Sequence, residues 1–199
     1  MTRYLLWGTV LFFLADHSDN TKTELHFDVF LKNKNKVVGS LTTSQTTVGS
    51  KTLYHSSTNI QTRLIVDVQV DYNYNVTFVK DRLEEANVEI TINDKPHSKT
   101  HTLRNKDRYQ ITKDNGDQIV LDDAIDYSTI LLYFKEPAQI DQCYSEQDGS
   151  INHIIDLGDH VYKKINAKNK ENLYYYEDGV LKKATIDGGI IQLEILANN

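Results

Sequence analysis

From Glu24 onward, apolar and polar residues alternate one for one, a period of two that only β-strands produce over such lengths. Leu25, Phe27, Val29 and Leu31 share one parity, with His26 and Asp28 on the other. The longest case sets Leu64, Val66, Val68, Val70, Tyr72 and Tyr74 against Arg63, Asp67, Gln69, Asp71, Asn73 and Asn75. One buried and one wet face is what an antiparallel sheet allows. The spacing predicts a strand from about Lys51 to Phe78, interrupted near Asn59. A strand that long must coil, so the sheet should curve strongly.

Turn signals recur between the strands: Lys80-Asp81-Arg82, Asn93-Asp94-Lys95, Asn105-Lys106-Asp107, Asn115-Gly116, Leu157-Gly158, Asp178-Gly179 and Gly188-Gly189. Short strands punctuated in this way indicate a meander, sandwich or barrel. The expected fold is all-β: a single strongly curved antiparallel sheet, a half-barrel or open-barrel meander. One stretch departs from it. Tyr127, Ile130, Leu131 and Phe134 are spaced as a helix face, and Pro137 disfavours helix at Glu136. This predicts one short helix over residues 127–135, with Ile130, Leu131 and Phe134 inward.

The N-terminus is of another kind. Arg3 is the sole charged residue before Asp16, and Tyr4–Ala15 is almost wholly apolar. A basic start, a short apolar run and then polar residues is the secretory pattern. Residues 1–15 are therefore read as a signal peptide, 16–23 as a disordered lead and 24–199 as one domain. The run is short of the roughly 20 residues a membrane span needs. A net charge of −6 argues against nucleic acid, whose phosphates demand a basic face. The single thiol, Cys143, leaves no partner for an intramolecular disulfide, and its place in a strand favours a buried structural role.

Three blocks of the sequence are similar to those of a known family. Ser128-Thr129-Ile130-Leu131-Leu132-Tyr133-Phe134-Lys135-Glu136-Pro137 resembles the "S-x-x-x-L-Y-F-x-E-P" signature of the exported domain of unknown function numbered 6134. Tyr144-Ser145-Glu146 resembles its "[FY]-S-E" strand, and Asn172–Gly179 its "N-x-Y-x-Y-x-D-G" hairpin. Two turns depart from the pattern: Lys80-Asp81-Arg82-Leu83 has lost a glycine, and Asn93-Asp94-Lys95 has Asp in its place. The resemblance implies a curved antiparallel sheet located in the periplasm or envelope of a two-membrane bacterium. It implies no activity.

No nucleophile elbow, phosphate loop or metal-ligand set is apparent, and no cofactor is implied. His97 and His101, four apart in a strand, would stand about 13 Å from each other, too far to share an ion. His153 and His160 would lie diagonally on one face if Leu157-Gly158 centres a hairpin, with His153 facing Tyr162. Carboxylates are plentiful, and Glu136 and Glu146 stand in the family-like blocks. Tyr133, Glu136, Tyr144, Glu146, Tyr174 and Tyr176 are the candidate ligand contacts, since a tyrosine offers an apolar ring and one hydroxyl. The expected function is non-catalytic: an apolar or amphipathic molecule, or an envelope partner, held on the concave face. A hydrolase-like site near Glu136, Glu146 and the His153/His160 hairpin is one alternative, and a structural scaffold the other.

Overall fold

A computed structural model describes residues 20–32, 36–63, 67–187 and 192–198. The apolar segment 1–15 lies outside the described residues.

The chain before the helical turn gives eight strands: β1 (Thr21–Leu31), β2 (Val37–Val48), β3 (Lys51–Arg63), β4 (Asp67–Val79), β5 (Arg82–Ile92), β6 (Lys95–Asn105), β7 (Arg108–Lys113) and β8 (Gln118–Leu121). After it come β9 (Gln142–Ser145), β10 (Ser150–Asp156), β11 (Val161–Ile165), β12 (Glu171–Glu177), β13 (Val180–Asp187) and β14 (Gln192–Ala197). All fourteen form one antiparallel sheet in the order β8-β7-β6-β5-β4-β3-β2-β1-β14-β13-β12-β11-β10-β9. Every neighbouring pair is consecutive in sequence except one, at the seam where β1 pairs with β14. The sheet is open, with β8 and β9 as its edges.

Tight turns set the register. Lys80-Asp81, Asn93-Asp94 and Asp178-Gly179 each join two strands with both residues at positive φ, between 49° and 75°. Such turns match the right-handed twist of the strands they join, and Asn, Asp and Gly tolerate them best. The two departures from the family pattern thus keep their hairpins.

The sheet curls until its two halves meet. The β9–β10 turn reaches across to strands of the other half: Thr100 Oγ1 donates to Gln147 O (2.8 Å) and Tyr74 Oη to Gln147 Oε1 (3.1 Å). Thr102 Oγ1 and Tyr144 Oη share a buried hydrogen bond of 2.7 Å. Gly149, at φ 64°, lies so close to β7 that a Cβ there would meet Ile111 Cγ2 at 2.7 Å. Side chains close the half-barrel where no backbone ladder does. The inward parity supplies the core, including Phe27 and Val29 of β1, Val76 and Phe78 of β4, and Tyr174 and Tyr176 of β12.

Three expectations need correction. The long strand expected over Lys51–Phe78 is two, β3 and β4, paired back to back from Lys51↔Val79 to Arg63↔Asp67. The break falls between residues 63 and 67, not near Asn59, because Asn59 finds a ladder place opposite Asp71 and an amide–carboxylate bond to it. The lead 16–23 is partly strand, since Thr21–Thr23 pair with Thr47–Gln45 of β2. The helix expected over 127–135 is a single 3₁₀ turn, Thr129–Tyr133. Its buried residues are Ile130, Leu131 and Leu132, whereas Phe134 is half-buried against the Tyr54 ring at 5.3 Å. Three residues per turn bring Leu132 inward where a 3.6-residue period favours Phe134. Among the described residues, no helix is long and apolar enough to cross a membrane.

Candidate functional site

Inside the curl lies a cavity of about 290 Å³. Its apolar wall comes from β1, β2, β3 and β14: Val29, Leu41, Ile60, Leu193 and Ile195. The opposite wall is polar, because β10, β11 and β12 place Asn152, Lys164 and Asn172 on the inward parity. Tyr72 and Tyr74 of β4, Tyr133 and Tyr174, and Thr129 and Ile130 of the 3₁₀ turn also line it.

Of the six candidate contacts, the structure brings Tyr133 and Tyr174 to the cavity. Burial pushes both phenols well above their ordinary range, so they stay protonated hydroxyls. Tyr144 is turned toward Thr102 of β6, where the two halves of the sheet meet, and Tyr176 donates to Leu132 O (2.6 Å), tying β12 to the helical turn. Tyr176 also packs edge-on against Tyr162.

Glu146 is fully buried but holds the chain rather than a ligand. Its carboxyl accepts from Ser128 Oγ (2.6 Å), Thr129 N–H (3.1 Å) and Ile130 N–H (3.0 Å). The two N–H groups are orphan donors at the start of the 3₁₀ turn, which the side chain of its own N-cap residue, Ser128, does not satisfy. Burial raises the Glu146 carboxyl above its ordinary 4.5, and the Ser128 and backbone hydrogen bonds oppose that rise. Two of the sequence blocks, around Ser128 and around Glu146, therefore meet in one capping arrangement.

Glu136 sits elsewhere, at the protein surface, accepting from Tyr162 Oη (2.7 Å) and pairing with His160 Nδ1 (2.8 Å). Desolvation pulls the Glu136 carboxyl up, yet hydrogen bonds from Tyr162 and His160 hold it below its ordinary value. The His153/His160 hairpin is not as expected. A three-residue turn, 158–160, closed by Leu157 N–H donating to Val161 O (2.9 Å), puts Asp156 opposite Tyr162 and His153 opposite Ile165. His160 leaves the ladder at φ 60°. Glu136 and His160 thus stand together as a carboxylate–imidazole pair, while Glu146 is engaged by Ser128, Thr129 and Ile130, and His153 lies in the ladder opposite Ile165.

His97 and His101 lie in β6, and the His101 ring bonds Glu85 Oε1 (3.0 Å) on the outer face. The Cys143 thiol is pushed up to about 12 by burial and is protonated at neutral pH. Among the described residues no cluster of three metal-ligating side chains occurs. Two residues of the polar wall, Asn152 and Lys164, were not among the sequence candidates. Both stand on the parity that carries Ile154 and Tyr162, and a polar residue on an otherwise buried parity is the signal that marks them.

Residues 27–197 match the family described as Domain of unknown function (DUF6134). No curated protein matches the sequence. Among solved structures, the chain is similar to a beta-barrel-like protein of Domain of Unknown Function DUF1849 from Brucella abortus. The TM-score is 0.56 at 8% sequence identity, covering 88% of this chain and 95% of that one. That likeness is one of fold.

Proposed function

The chain belongs to the DUF6134 family, and we propose that it is a non-catalytic binder of one small amphipathic molecule held in the concavity of its curled sheet. The observation that carries this reading is the two-sided cavity, with Val29, Ile60 and Leu193 on one wall and Asn152 and Lys164 on the other. A cavity of about 290 Å³ lies just below the range of ligand pockets, roughly 300–1,000 Å³, and suits a small molecule. Small closed β-barrels hold single small ligands in their interiors, and the concave face of a curled sheet offers a similar lining of alternating inward side chains. The states of the reactive groups support binding over turnover. Cys143 is a protonated core thiol, Glu146 is engaged by three donors of its own chain, and Glu136 pairs with His160 at the surface.

Organic extraction of purified protein, followed by mass spectrometry, is expected to release one amphipathic compound at near-stoichiometric amount. Thr58, half-buried on the cavity wall, can be enlarged without disturbing the core. Thr58→Trp is expected to abolish the compound while leaving the melting temperature nearly unchanged. If nothing is released and a fluorescent apolar probe does not bind, the binding reading falls and a scaffold role takes its place.

The same proposal includes export. Its support is the run Tyr4–Ala15, uncharged and bounded by Arg3 and Asp16. N-terminal sequencing of protein recovered from the envelope fraction of a bacterial host is expected to begin near Asp16. Intact Met1 in the cytosolic fraction would overturn it.

A further inference from the structure

Two side chains on the polar wall are buried without the partners that burial demands. Lys164 is 6% exposed, and the hydrogen bond its ammonium makes is to Thr129 Oγ1 (3.1 Å). Among the described residues no carboxylate stands within ion-pair distance of it. Asn152 is 1% exposed, and its Oδ1 is enclosed with no hydrogen-bond partner. Buried ammonium and amide groups are ordinarily paired, because desolvation otherwise costs stability.

The sheet sets these two groups side by side. Lys164 lies opposite Ile154, so Asn152 is its diagonal neighbour on the same face, at about 7 Å between strand positions. Asn172 lies directly opposite Lys164 on the other side and accepts the Asp187 N–H. The remaining charges of the lining are Lys168 and Lys170 against Asp148 and Asp187, which balance. The lining therefore carries one net positive charge, in a chain whose net charge is −6. Glu146 lies behind the wall, near enough for its charge and that of Lys164 to be felt by each other, but its oxygens are taken by Ser128, Thr129 and Ile130.

Resting on the binding reading above, we propose that Lys164 and Asn152 form the head-group subsite for a monocarboxylate whose apolar body lies along Val29, Ile60, Leu193 and Ile195. The ammonium takes one carboxylate oxygen. The Asn152 amide, presenting its NH₂ after a half-turn about χ2, takes the other. A single buried cation matches a singly charged acid, whereas a phosphate dianion would bring surplus negative charge into a site balanced for one.

Isothermal titration with octanoate, octan-1-ol and octyltrimethylammonium tests the assignment on the full folded chain. Octanoate is expected to bind about tenfold or more tightly than octanol, as charge-assisted pairing with a desolvated ammonium requires, and the ammonium probe least of all. Lys164→Met is expected to erase the preference, weakening octanoate by about tenfold and leaving octanol unchanged. Asn152→Leu is expected to weaken octanoate selectively by a smaller factor. The wild-type comparison stands even if a variant fails to fold. Equal binding of octanoate and octanol would overturn the head-group assignment and leave the binding reading intact. Binding of none of the three probes would overturn both.

Discussion

Glu146→Ala is expected to destabilise the protein by about 3–5 kcal/mol. Three donors, Ser128 Oγ and the N–H groups of Thr129 and Ile130, lose their acceptor inside the core. A buried donor left unpaired costs about 1–3 kcal/mol, and the space vacated by the side chain adds to it. Glu146→Gln keeps one acceptor oxygen and should cost markedly less. The same residue gives a pH dependence. Its carboxyl is raised above 4.5 in the folded protein, so the folded state binds that proton more readily than the unfolded one. The associated stability is present in full below the unfolded value near 4.5 and is lost as pH rises through the folded value. Thermal melts from pH 4 to 8 should show this loss in the wild type and not in Glu146→Gln. Identical pH profiles for the two proteins would show that Glu146 does not titrate differently on folding.

Leu132→Ala is the second large effect, expected at about 2–5 kcal/mol for a fully buried leucine. Leu132 is the innermost residue of the 3₁₀ turn, and its carbonyl receives the Tyr176 hydroxyl (2.6 Å). The mutation vacates space between that turn and β13, while the backbone bond from Tyr176 remains. Phe134→Ala, by contrast, removes a half-buried ring tilted against Tyr54 and should cost less than about 2 kcal/mol. Chemical denaturation of both variants measures the difference. A larger loss at Phe134 than at Leu132 would mean that residues 127–135 pack as the longer helix that the apolar spacing favours.

Most of the strand content can be read from the chain, because period-two alternation and Asn, Asp or Gly turns state locally where strands and hairpins lie. What escapes a local reading is what distant residues decide. The division between β3 and β4 escapes because the sequence between Arg63 and Asp67 is wholly apolar and carries no Gly, Pro, Asn or Asp signal. The short turn Thr129–Tyr133 owes its N-terminal acceptor to Glu146, seventeen positions from Thr129, so the i, i+3, i+4 pattern alone overstates its length. Tyr174 shares a strand parity with Tyr176, which marks it as inward from the sequence, whereas Tyr133 sits in the 3₁₀ turn, where strand parity says nothing. Glu136 and Glu146 looked like site residues because they stand in distinctive blocks, and the structure gives each a partner within the chain instead. Lys164 and Asn152 become visible only once the inward parity of β10 and β11 is known.

The pairing of β1 with β14 also bears on how this sheet assembles. Strands β2 to β8 follow one another through short connections, as do β9 to β13, and each half can form through local loops. Their union waits on contacts such as Asn198 Nδ2 donating to Asp28 Oδ1, across 170 positions of sequence. Each doubling of a closed loop adds about 0.6 kcal/mol of entropic cost, so this closure costs roughly 2–3 kcal/mol more than a ten-residue hairpin. Joining the halves is thus the step that gains least from locality, and folding of so non-local a sheet is slow for its size. Until that step is complete, the facing edges of β1 and β14 are unpaired, and the apolar wall of the cavity is split, with Val29, Leu41 and Ile60 on one side of the seam and Leu193 and Ile195 on the other.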